Sequence, residues 1–252
     1  ILAARLVEGL GYLAIVIAVP AILTSVSRPA WRGAVLALWG GFVPVGFAAA
    51  DFLAAVLVPA AGQRTYLLAI VGCFVVFAVA SALFLARVDD ETPDHGGEQE
   101  GTARPGIAAS LSPAVIAASL SFGAYVVLSV GFFAFMPTYV AERGDLLFAA
   151  GVFALAVPVG NILASLFMRR GSASMAAWLT VAGFLIAAAA GVPAFVGTGA
   201  AVATISALAF AIAGGVAASA LFAAIPYIVP KGGSVAVVIG LVAQTGGIGT
   251  VF

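Results

Sequence analysis

The chain has 252 residues, 64% of them hydrophobic and only 8% charged, with ten basic side chains, ten acidic ones and one histidine. Soluble domains carry roughly 25% charged residues, so this composition excludes a soluble fold for most of the chain, and the zero net charge leaves no basic footprint for nucleic acid. A single cysteine, Cys73, and a single histidine, His95, exclude a disulfide framework and a Cys/His metal centre, and no cofactor is implied.

Crossing a bilayer as a helix takes roughly 20 apolar residues, because about 30 Å must be covered at 1.5 Å per residue. The first predicted helix, 1–24, opens at Ile1 already inside an apolar run and carries Arg5 and Glu8. Nothing in it resembles a cleaved signal peptide. After the turn SVSRPAWRG comes the second, 33–59, with Gly40, Gly41 and Gly46 around Pro44, and Asp51 near its end. AAGQRT separates it from the third, 65–87. Residues 88–106, VDDETPDHGGEQEGTARPG, then read as a solvated acidic linker without an apolar face. Four further helices follow at 112–140, 146–168, 174–194 and 199–229, joined by ERGD, RRGSAS and GVPAFVGTG. After PKGGS an eighth, 234–252, ends inside an apolar run, and both chain ends are expected to be truncations. Gly and Pro turn the chain at these breaks, and the charges stay at headgroup level.

The expectation is an all-α, multi-pass protein of the cell (inner) membrane. Residues 1–87 end one helical half, 88–111 form the linker, and 112–252 form the other half. Loops after the odd-numbered helices hold Arg28, Arg32, Arg87, Arg104, Arg169, Arg170 and Lys231, against only Arg64 and Arg143 after the even-numbered ones. That bias places the linker in the cytoplasm.

Sliding the chain on itself by 206 residues gives 12 identities in 46 aligned positions. Gly9 falls on Gly215, Pro20 on Pro226, and Gly40 and Gly41 on Gly246 and Gly247. Six helices lie within that shift, so paired helices run in the same direction. Parallel six-helix halves are one established transporter plan, and it would place three further helices before Ile1 and one after Phe252.

The pattern resembles the major facilitator superfamily over essentially the whole chain. RLVEGLG, residues 5–11, is similar to the Arg-x-x-Gln-Gly-x-Gly pattern of that family's fourth helix, with Glu8 where Gln is usual. GGFVPVG, residues 40–46, resembles the Gly-Pro-Gly motif of the fifth, with Val43 in place of the glycine before Pro44. GNILASLFMRRG, residues 160–171, resembles a degenerate form of the family's loop motif between the eighth and ninth helices, without its aspartate. FMPTYVAERG, residues 135–144, is similar to cyanate-type permeases. The resemblance implies a bundle truncated at both ends, with a substrate site between its halves and protons as the coupling ion.

Only Arg5, Glu8 and Asp51 among the charged residues fall well inside predicted helices. Lipid-facing charge is costly, so they are expected to face protein or a water-filled cavity. Arg5 and Glu8, three apart, could neutralise each other on one helix face, or Arg5 could face the central cavity, which the resemblance favours. Asp51 could bond a neighbouring helix or couple proton movement. Tyr12, Tyr125, Asn161, Gln244 and Thr245 could line a pathway or simply bond across helices. Gly9, Gly11, Gly40, Gly41, Pro44 and Gly46 suit close helix packing or hinge bending.

No ATP-binding GxxxxGK[ST] loop is present, so the expected function is secondary transport of a small solute, driven by an ion gradient or the solute's own. The competing classes are an intramembrane enzyme and a non-transporting subunit of a larger permease. The first lacks HExxH, GxSxG and any membrane histidine.

Overall fold

A computed structural model describes residues 2–85, 106–148, 150–196 and 199–249. These residues are almost wholly helical, with no strand among them. In chain order they form α1 (Leu2–Val26), a 3-10 turn (Pro29–Trp31), α2 (Arg32–Trp39), α3 (Phe42–Leu85), α4 (Ile107–Ser110), α5 (Pro113–Arg143), α6 (Ala150–Met168), α7 (Ala173–Val196), α8 (Ala200–Ile228) and α9 (Val235–Gly249). Among the described residues, seven segments are long and apolar enough to cross a membrane, and α9 is a shorter apolar helix.

Local chemistry sets the boundaries. The Ser112 hydroxyl accepts from the Val115 amide at 3.2 Å, and Pro113 follows at the first helical position, so α5 starts there. It stops at Gly144, whose φ of 65° is the left-handed conformation glycine takes without a Cβ clash. The predicted second and third helices appear as one element, α3, but Gly62 at φ 80° and ψ 165° breaks it inside the AAGQRT segment. The second predicted helix differs in another way. It is divided at Gly40–Gly41 into α2 and the start of α3. There the Gly41 amide bonds back to Leu38 rather than one residue further, and Pro44 has no N–H to offer the Gly40 carbonyl.

Helix α8 is the packing centre. Ala203, Ala207, Ala211, Ala217, Ala218 and Ala220 are buried along it, and α6, α7 and α2 all lie against it. Small residues let the backbones approach. A Cβ on Gly160 of α6 would strike the Ile212 carbonyl, and one on Gly183 of α7 would come within 2.8 Å of the Ala213 carbonyl. Across the linker, α2 packs on α8 and α1 packs on α9. Outside this core the surface is apolar: Phe74 and Phe77 are 73% and 71% exposed, which is stable only against lipid.

Candidate functional site

The break between α2 and α3 borders a cavity of about 90 Å³, room for several waters at roughly 10–15 Å³ each. Elements from both sides of the linker wall it. Tyr12 of α1 and Gly40, Phe42, Val43, Pro44 and Phe47 at the break form one side. The other comprises Phe122, Tyr125, Val126, Ser129, Val130 and Phe133 of α5, Phe222 of α8, and Ala243, Gly246 and Gly247 of α9. A second space of about 230 Å³ adjoins it, lined by Phe47, Val130, Phe133 and Ala134.

Aromatic rings shape this space. Tyr12 lies 6.3 Å from Phe42, centroid to centroid, and Phe122 meets Phe222 edge-on at 5.0 Å. Tyr125 lies 6.0 Å from both Phe122 and Phe184. Glycine supplies the remaining room: a Cβ on Gly246 would fall 2.5 Å from the Phe122 ring, and one on Gly40 3.1 Å from Phe222. The lining residues include the hydroxyls of Tyr12, Tyr125 and Ser129 but no charged side chain. Such a wall favours an apolar body carrying a few hydrogen-bonding groups.

Of the residues singled out from sequence, Tyr12, Tyr125, Gly40 and Pro44 therefore meet at one cavity, while Gly41 lies against Asn161. Asn161 does not line it. That side chain is buried at 2% exposure, its Oδ1 accepts from Ser219 Oγ at 3.0 Å, and its Nδ2 has no partner among the described residues. Gln244 is exposed on α9. The Thr245 hydroxyl donates to the Ser119 carbonyl at 2.8 Å, tying α9 to α5. Gly9, Gly11 and Gly46 have open space where a Cβ would sit. The backbones of Arg5, Glu8 and Asp51 lie in α1 and α3, but their side chains lie outside the described residues, as does linker segment 88–105.

Sequence reading assigned the phenylalanines to lipid or core, and nothing in their spacing separates Phe42, Phe47, Phe122, Phe133 and Phe222 from the rest. Ser129 and Ser219 carried no signal either.

Polar contacts fasten the two ends of the bundle. At one end the Arg169 guanidinium lies over the Trp31 ring at 4.6 Å, and Ser165 Oγ donates to the Ala34 carbonyl at 2.9 Å. At the other, Arg143 donates to both carboxylate oxygens of Asp145, at 2.8 and 2.9 Å, and to the Tyr139 hydroxyl, which donates in turn to the Ala194 carbonyl at 2.9 Å. The hydrogen bonds from Arg143 hold the Asp145 carboxyl below its ordinary pKa.

The Major Facilitator Superfamily family model matches residues 1–252. No curated protein matches the chain, and no solved structure does.

Proposed function

This chain belongs to the major facilitator superfamily, a family of membrane transporters, and we propose that it works as part of a secondary transporter that moves a small solute by alternating access. The observation that carries this reading is the cavity at the α2–α3 break, walled by elements from before and after the linker. A site between two repeated halves is what rocking of one half against the other requires. The reciprocal contacts add support. The 206-residue repeat maps α1 onto α8 and α2 onto α9, and the contacts α2–α8 and α1–α9 are what a two-fold relation between the halves would produce.

The uncharged aromatic wall suits a solute with an apolar body and one or two polar groups. Proton coupling would then fall to the intramembrane charges. Glu8 and Arg5 precede Tyr12 by four and seven residues in α1, and Asp51 follows Phe47 by four in α3. The linker would face the cytoplasm of a cell whose inner membrane holds the bundle. A cyanate-type specificity has only residues 135–144 in its support. An enzymatic role has no catalytic set to draw on among the described residues.

The test is solute uptake or efflux by the intact protein. Arg5→Lys should abolish transport while insertion stays normal, and full activity in that variant would remove Arg5 from the mechanism. Asp51→Asn should flatten the pH dependence of transport; an unchanged profile takes Asp51 out of coupling.

A further inference from the structure

One face of α6 closes against α2 along a tightly packed seam. Asn161, Ala164, Ser165 and Met168 follow one another at helical spacing. Met168 Cε lies 3.2 Å from where a Cβ on Gly33 would sit, Ser165 bonds the Ala34 carbonyl, and Ala164 packs in one buried cluster with Ala34, Ala37 and Met168. Arg169 over Trp31 caps the seam at its loop end. Ser165 and Arg169 thus find partners along it, whereas Asn161 does so only in part.

There the fit is tight but incomplete. The Asn161 amide occupies the space a Cβ on Gly41 would need, with Nδ2 2.5 Å from that point. Its Oδ1 is met by Ser219, while Nδ2 meets nothing among the described residues. A buried donor without an acceptor costs the desolvation of that group, whereas an apolar side chain of the same shape costs little. Opening the seam admits water and removes the cost.

We propose that Asn161 is a built-in counterweight in the conformational cycle: its unmet N–H penalises the state in which α2 and α6 are sealed and keeps that state close in free energy to the open one. The proposal rests on the alternating-access reading. It assigns Asn161 a positioning role, acting on the balance of states and not on solute. Gly41 is the matching element, since only a residue without a Cβ lets the amide seat.

The experiment is a distance measurement across the seam. Spin labels are placed at Arg28 and Arg170, both exposed and outside the seam contacts, in the intact transporter carrying Cys73→Ser, reconstituted in lipid nanodiscs. Pulsed electron resonance then reads the populations of short and long distances. Asn161→Leu paired with Ser219→Ala, which removes the amide together with the buried hydroxyl that would otherwise lose its acceptor, should raise the sealed-to-open ratio about tenfold. Ser219→Ala, which leaves Oδ1 unmet as well, and Gly41→Ala, which fills the space of Nδ2, should both lower it. The last two carry the test if the leucine variant fails to insert. An unchanged ratio in the paired leucine variant, as a water trapped on Nδ2 would give, or a shift in the same direction in all three variants, overturns the proposal while leaving alternating access standing. A single fixed distance in the wild type and every variant sinks both.

Discussion

Gly160 and Gly72 occupy helices of similar composition but opposite surroundings. A Cβ at Gly160 would run into the backbone of α8, whereas nothing lies within 4 Å of one at Gly72. Gly160→Ala should therefore cost roughly 1–3 kcal/mol, since backbone on the far side cannot rotate away. Gly72→Ala should be neutral or stabilising by up to about 1 kcal/mol through helix propensity. Thermal unfolding midpoints of the two variants in the same lipid check the contrast. At the opposite end from the seam, Asp145 has its pKa lowered by Arg143, so its stabilising contribution is present above the ordinary carboxylate pKa and fades as pH falls through the depressed one. Protection of the Gly144 and Leu147 amides, measured relative to an unstructured chain at the same pH, should hold at neutral pH and fall only in acid, and Asp145→Asn should remove that dependence. At this scale sequence was a partial guide. It singled out Tyr12, Tyr125 and Gly40, which converge, and Asn161, whose significance lies in Ser219 and Gly41, partners 58 and 120 residues away that no local pattern links to it.

Helices were far more legible than their contacts. Long apolar runs punctuated by Gly, Pro and charge place α1 and α5 to α8 close to their observed bounds, because a bilayer leaves the backbone no alternative to internal hydrogen bonding. What a run-length reading misses is a helix that breaks without leaving the membrane. The Gly-Gly-x-x-Pro stretch at residues 40–44 was visible as a bend, but its consequence, a cavity wall of bare backbone, depends on Phe222 and Phe122 arriving from elsewhere. The Gly62 break is more self-contained. Its φ and ψ fall where only glycine is at ease, so Gly62→Ala should destabilise by roughly 1–3 kcal/mol. A drop in unfolding temperature reports the effect, and unchanged stability would mean that the turn there is not held as described.

For the whole molecule, the decisive quantity is the shortage of charge. Ten acidic and ten basic groups in 252 residues cannot clothe a water-soluble surface, and the exposed Phe, Leu and Val side chains of α3 and α7 are at rest only in hydrocarbon. Multi-pass membrane residence followed from composition, and the family match agrees with it. Solute identity did not follow, because the ring and hydroxyl positions of the proposed site are gathered from four helices, α1, α3, α5 and α8. If the polypeptide threads the bilayer with alternating polarity, as proposed, Arg64 and Arg170 lie on opposite faces. The direct measurement is labelling of single cysteines at these two positions, in intact cells expressing the complete protein, with a membrane-impermeant thiol reagent. Arg64→Cys should react at once and Arg170→Cys only after permeabilisation. Equal reactivity of both in intact cells would contradict the topology, and with it the transport reading built on it.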